Sequence, residues 1–121
     1  MSVAIIQYNA GNVQSVLYAL QRLGVDAVIT ADADTIRSAG KVIFPGVGAA
    51  GSAMEYLKKN NLDKLIVSLT QPVLGICLGL QLMCAHSEEG DTTCLGIFDV
   101  PVKKFMKPAN DHSVKIPQMG W

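Results

Sequence analysis

Gln71-Pro-Val-Leu-Gly75-Ile-Cys77-Leu-Gly79-Leu-Gln81-Leu-Met-Cys84-Ala85 is the stretch on which the fold turns. Val73 to Ile76 is an apolar run, which predicts a short buried strand, and Leu78 to Ala85 has the spacing of an amphipathic helix. Cys77 stands at the junction, bracketed by Gly75 and Gly79. That is the G-x-nucleophile-x-G pattern of a nucleophile elbow. A sharp strand-to-helix turn strains the backbone of the central residue, and close packing of strand on helix leaves little room for Cβ atoms at the flanking positions. The side chain is then presented at the carboxyl edge of the sheet, with backbone N–H groups and the positive end of the helix dipole facing it. The plainer alternative is a small cysteine packed in a βα turn, since free cysteine is among the most buried residue types. Position favours the first reading, because open α/β sheets keep their sites at the carboxyl ends of their strands. Cys84, on the predicted helix, and Cys94, in a predicted loop, lack that setting and read as structural.

Upstream, strands and helices alternate. Val3 to Tyr8 is rich in β-branched residues and reads as a central buried strand. Asn9, Gly11 and Asn12 make a turn, with Asn12 placed to cap a helix. Val13, Val16, Leu17, Leu20 and Leu23 fall on one face of that helix, and Gly24 ends it. Val25 to Ile29 predicts a second strand. A short helix over 32–39 follows, with Asp34 favoured over Asp32 as its cap. Lys41 to Phe44 predicts a third strand, running into Pro45-Gly-Val47-Gly48-Ala-Ala-Gly51 and a helix over 52–59. Asn61 caps another helix over 62–69. This alternation predicts an α/β fold: an open, mostly parallel, flavodoxin-like sheet with helices on both faces. After Gly90 the pattern changes to short β-like pieces, 95–98, 102–105 and 114–117, linked through Pro101, Pro108 and Asn110. They predict a partial antiparallel extension after about residue 92.

The glycine loop after the third strand has two readings besides a plain turn into the helix. Gly46-x-Gly48-x-x-Gly51 matches the dinucleotide fingerprint, but that fingerprint belongs to the first βα unit and wants an acidic residue at the end of the next strand, where Ile76 and Cys77 stand instead. The other reading uses neighbouring strands of a parallel sheet. A glycine-rich loop after one strand then offers backbone N–H groups beside a nucleophile on the next, which is how an oxyanion hole is built.

Composition narrows the classes. The 121 residues are 50% hydrophobic, with 10 acidic and 10 basic side chains and no net charge, as suits one globular domain. The lysines are scattered or paired (Lys58 with Lys59, Lys103 with Lys104), so no nucleic-acid surface is indicated. No apolar run approaches the roughly 20 residues that span a bilayer, so no membrane role is expected. Three cysteines without paired spacing, and no histidine cluster, argue against a disulfide framework and against a metal site. A reducing, cytoplasmic setting fits them.

Taken together, these residues resemble the class I glutamine amidotransferases, the triad glutaminases. Gly75-Ile-Cys77-Leu78-Gly79-Leu-Gln81 matches their nucleophile motif, and Pro45-Gly46-Val47-Gly48 their oxyanion strand. Ile-Gln-Tyr8-Asn9-Ala-Gly11-Asn12, Gly48-Ala-Ala-Gly51-Ser-Ala-Met54 and Pro117-Gln118-Met119-Gly120-Trp121 are similar to the branch that supplies ammonia to a cyclase of histidine biosynthesis. The resemblance implies that Cys77 attacks the carboxamide of glutamine, giving a thioester and ammonia. It further implies that Leu78 and, after a loop rearrangement, Val47 donate to the oxyanion, and that Gly46, Gly48 and Gln81 hold the substrate. It places Asn12, Met119 and Trp121 at or near a (β/α)8-barrel cyclase partner, and it implies no cofactor.

The family's base is a His-x-Glu pair beyond the Met-Gly-Trp motif. Only His86 and His112 occur here. His86, at the end of the elbow helix, is expected to point away from the active edge, and His112 to be solvated in a polar loop. The expectation is therefore an N-terminal portion of such a subunit, C-terminally incomplete. Such a portion would be inactive alone and prone to self-association through uncovered strand edges. Another class I glutaminase, such as that of pyridoxal phosphate synthase, and a non-catalytic flavodoxin-like binding module are the alternatives.

Overall fold

A computed structural model describes residues 2–106 of the chain. Four parallel strands form the main sheet: β1 (Val3–Ile6), β2 (Ala27–Thr30), β3 (Lys41–Phe44) and β4 (Val73–Gly75). Their spatial order is β2-β1-β3-β4. The registers pair Val3 with Ala27 and Lys41, and Phe44 with Gly75. β1 is buried along its whole length, as its aliphatic, β-branched sequence requires of a central strand.

The side chains of β1 and β3 divide between two faces. Val3, Ile5 and Ile43 point to the face covered by α1 (Val13–Arg22), where Val13, Val16, Leu17 and Leu20 pack on them. Ala4, Ile6, Val42 and Phe44 point to the other face, which carries the larger core. There they meet Ile36 of α2 (Ala33–Ser38), residues of α3 (Ala50–Lys59) and α4 (Leu62–Ser68), and Leu78, Leu82 and Met83 of α5 (Leu78–Met83). The parallel sheet with helices on both faces is as the strand–helix alternation predicts.

Local chemistry sets the helix ends. Asp32, not Asp34, caps α2: its Oδ2 accepts from the Thr35 N–H at 2.9 Å and from the Thr35 hydroxyl at 2.7 Å. These two bonds also hold its carboxyl below the usual carboxylate range. Asn12 and Asn61 occupy the N-cap positions of α1 and α4, but through left-handed backbone (φ 75 and φ 57) and with no side-chain cap bond. Gly24, at φ 71, terminates α1.

The second half of the elbow stretch departs from its periodicity. α5 stops at Met83, and Cys84 turns to extended backbone (ψ 175) to open β5 (Cys84–Ser87). A separate three-stranded sheet begins here, ahead of residue 92, with β6 (Thr92–Thr93) antiparallel and β7 (Phe98–Val102) parallel to β5. The expected strand over 95–98 gives way to a turn at Gly96 (φ 69) and contributes only Phe98, and that over 102–105 contributes only Val102. The reason is tertiary. The N–H groups of Cys94, Leu95 and Gly96 donate to the carbonyls of Ala85, Leu82 and Cys84, so strand pairing takes the acceptors that one more helical turn would use. The expected strand over 114–117 lies outside the described residues.

Candidate active site

Cys77 is the strained residue of the sheet's carboxyl edge. Its φ of 52 and ψ of −118 are unusual for a residue with a side chain, and its thiol is exposed. Two glycines permit the bend. A Cβ on Gly79 would stand 1.7 Å from the Phe44 carbonyl oxygen, and one on Gly75 would stand 2.6 Å from Met83 Sδ and 2.8 Å from Leu80 Cα. The elbow therefore follows from packing. β3 and α5 touch through backbone at Gly79, and β4 folds onto α5 at Gly75.

The glycine loop after β3 lies against this bend, because β3 and β4 are direct neighbours. Three consecutive carbonyls at the end of β3 are each held by a different donor. The Ile76 N–H donates to Phe44 at 3.0 Å, and the Leu78 N–H to Gly46 at 3.0 Å. The Tyr8 hydroxyl donates to Pro45. The Leu78 amide, expected as an oxyanion donor, thus faces the loop and is engaged by it. Gly46 (φ 153) and Gly48 (φ 131) hold conformations that favour glycine, and Val47 between them is exposed. Gly48 is exposed and Gly46 buried. Gln81, half-buried, is one turn into α5, its N–H bonded to the Cys77 carbonyl at 3.1 Å. Asn12 is exposed on the loop that leaves the same edge at β1. Met119 and Trp121 lie outside the described residues.

Tyr8 enters the site without a role foreseen for it: the sequence marks it as the end of the first strand and as part of an N-terminal motif. It is buried after β1, its ring 5.2 Å from that of Phe44. Burial pushes the ionisation of its phenol well above the ordinary tyrosine value, so the hydroxyl stays a donor. The available signal was a single tyrosine closing an aliphatic strand, since a buried phenol needs a partner for its O–H.

Cys84 and Cys94 are buried, as structural cysteines should be. Their thiols contact the carbonyls of Leu80 and Thr92. Burial, with Cys84 nearby, pushes the Cys94 thiol up. His86 sits in β5, not on the elbow helix, opposite Thr93. Its Nε2 lies 2.8 Å from Asp91 Oδ1. His112 lies outside the described residues. Among the described residues no group of three or more histidine, cysteine, aspartate or glutamate side chains is placed to hold a metal ion. Among the described residues no helix is long and apolar enough to cross a membrane. Two clefts of about 350 and 340 Å³ lie elsewhere, one over α3 and α4 beside Cys94, the other on the α1 face of β3 and β4. Neither includes Cys77.

Comparison with known proteins identifies relatives of the chain. The family model described as glutamine amidotransferase class-I matches residues 4–119. Over all 121 residues the chain is 62% identical to the imidazole glycerol phosphate synthase subunit HisH of Bacteroides thetaiotaomicron, covering 61% of that protein. It is 46% identical over its full length to the subunit of the same name from Idiomarina loihiensis, covering 60%. The chain therefore spans about three-fifths of the length of these curated relatives. A solved structure described as a crystal structure of glutamine amidotransferase shares the fold, with a TM-score of 0.64 and 20% identity over 84% of this chain and 56% of that one.

Proposed function

The chain belongs to the class-I glutamine amidotransferase family, and from that premise we propose that Cys77 is the nucleophile of a glutaminase whose ammonia is used by a partner enzyme. The observation that carries the reading is the strained elbow, φ 52 and ψ −118, with its following amide bonded to the glycine turn of the adjacent strand.

The Cys77 sulfur attacks the side-chain carboxamide carbon of glutamine. A C–S bond forms, and the carbonyl electron pair moves onto oxygen. Collapse of that tetrahedral oxyanion expels the amide nitrogen, which takes up a proton and leaves as ammonia, and a γ-glutamyl thioester remains. Water then cleaves the C–S bond to give glutamate and the free thiol. A positioned donor on such an oxyanion is worth about 3 kcal/mol of barrier. In the form described here the Leu78 N–H is spent on the Gly46 carbonyl. Turning the Gly46–Val47 peptide over would free it and would direct the Val47 N–H to the same point. The positive φ values of Gly46 and Gly48 make that turn accessible. Gly46, Gly48 and Gln81 line the place where the rest of glutamine would rest.

The thiol also needs a base and a group to orient it. We assign His86 no such part, since it belongs to the second sheet and its ring nitrogen is engaged by Asp91. The base is proposed to come from outside these residues, so the chain by itself would turn over glutamine at no useful rate. By analogy with the relatives named imidazole glycerol phosphate synthase subunit HisH, the partner is a (β/α)8-barrel cyclase of histidine biosynthesis, approached by Asn12, Met119 and Trp121. The free thiols support a reducing cytoplasm as the setting.

Selective labelling tests the reading. Iodoacetamide near neutral pH should modify Cys77 well before Cys84 and Cys94, and a glutamine-derived diazoketone should label Cys77 alone, as located by peptide mass spectrometry. In the protein assembled with its cyclase partner, Cys77→Ala should abolish ammonia release from glutamine. Even labelling of the three thiols would leave a non-catalytic flavodoxin-like module as the better description.

A further inference from the structure

We propose that Tyr8 is a positioning residue of the glutaminase site: its hydroxyl pins the Pro45 carbonyl, so that only the Gly46–Val47 peptide can turn when the oxyanion donors are assembled. The inference rests on the glutaminase reading of Cys77 and deepens it.

The argument starts from the three held carbonyls at the end of β3. Two of their donors, the Ile76 and Leu78 N–H groups, flank Cys77 and belong to the elbow itself. The third, the Tyr8 hydroxyl, reaches across from the end of β1, 37 residues away in sequence. Among the side-chain hydrogen bonds of the described residues, it is therefore the one tether on this segment that is independent of the elbow. Pro45 is suited to be the fixed point, since its ring locks φ and its carbonyl has a buried partner. Gly46 and Gly48 are suited to be the moving part, since both sit at positive φ.

Tyr8 also sets the limits of the motion. A Cβ built on Gly46 would stand 2.0 Å from the Tyr8 oxygen and 3.1 Å from Ala10 Cβ. The phenol fills the space behind Gly46, and displacement of the loop in that direction is blocked. On the other side, Gly79 lets α5 close on Phe44 and Pro45. The segment is clamped up to the Pro45 carbonyl, and beyond it the Gly46 carbonyl is held by the Leu78 N–H of the elbow, the bond that the peptide turn would release. Because its ionisation is displaced upward, the phenol does not lose its proton, and with it the clamp, across the working pH range.

The protein assembled with its cyclase partner, with glutamine as the probe, provides the test. Tyr8→Phe should lower kcat for ammonia release about tenfold, because a misaimed donor forfeits part of the two to three decades that an oxyanion contact is worth. KM should stay within about twofold, and the iodoacetamide rate at Cys77 should not change, because the thiol and the substrate-binding residues are untouched. A Tyr8→Phe protein with kcat unchanged, or with KM and alkylation rate altered as much as kcat, would overturn the inference. Should Tyr8→Phe not fold, the unmodified protein still decides. On alkylation of Cys77 by the diazoketone, in which the sulfur displaces dinitrogen to form a thioether, the Gly46 carbonyl carbon should move in NMR while that of Pro45 stays. Comparable movement at both carbons refutes the clamp. Cys77→Ala separates the two levels: ammonia release surviving that substitution sinks the glutaminase reading itself, whereas its loss beside a fully active Tyr8→Phe protein sinks the Tyr8 inference alone.

Discussion

Gly79 is the residue whose single hydrogen side chain lets β3 and α5 meet backbone to backbone. An added Cβ would fall 1.7 Å from a main-chain oxygen, which no rotamer can relieve. Gly79→Ala is therefore expected to destabilise the chain by about 3 kcal/mol in urea unfolding. Gly11→Ala, where nothing lies within 4 Å of the new atom, should stay within about 0.5 kcal/mol. Tyr8 gives a pH signature. Its folded-state ionisation is displaced upward from the ordinary tyrosine value of 10.0, so its contribution is complete below that value. The contribution falls as pH rises past it, because the unfolded phenol loses its proton first. Unfolding at about pH 8 and about pH 11 should show this slope in the unmodified protein but not in Tyr8→Phe. At about pH 8 the Tyr8→Phe protein should also be weaker by about 1–2 kcal/mol, having left a buried carbonyl unpaired, and the gap should narrow by about pH 11. At this scale the sequence shows the glycines around Cys77 plainly, because forbidden Cβ positions leave glycine in the text. It does not show which of two aspartates caps α2: both precede Thr35, and only the fold of the chain brings Oδ2 of Asp32 onto its N–H.

Strands β3 and β4 lie side by side, and their adjacency turns two separate motifs into one site. Alternating apolar and helical segments make that adjacency readable, since parallel neighbours are the ordinary product of consecutive βα units. The boundary of α5 was not readable. Leu80, Leu82, Met83 and Cys84 keep an apolar run that suits a helix, and only the incoming 94–96 segment, by donating to Leu82, Cys84 and Ala85, converts its end to strand. β4 is an edge of the described sheet, and Leu74 on it is 58% exposed. An uncovered apolar edge is a template for pairing with a second copy. The chain alone should associate at micromolar concentration in sedimentation equilibrium. Leu74→Lys should shift that equilibrium towards monomer while changing unfolding stability by less than about 1 kcal/mol.

On the scale of the molecule, α1 covers one face of the sheet while α2 to α5 cover the other with the larger core. The carboxyl edge then collects the end of β1, the loop after β3 and the elbow after β4. The class of fold follows from the order of elements and needs no site residue to establish it. The candidate site was legible as two motifs but not as a connected arrangement, because hydrogen bonds such as Tyr8 to Pro45 and Leu78 to Gly46 join distant segments and leave no periodic trace. The same long-range stitching governs when the reactive corner comes into being during folding. A helix can form from its own residues, but this corner has no local precursor: it closes only after three strands have found their register. Selective alkylation of Cys77 is then a reporter of the finished sheet. Its rate advantage over Cys84 and Cys94 should vanish along a denaturant series at the midpoint of global unfolding, in one step, with no stage at which the elbow is ready and the sheet is not.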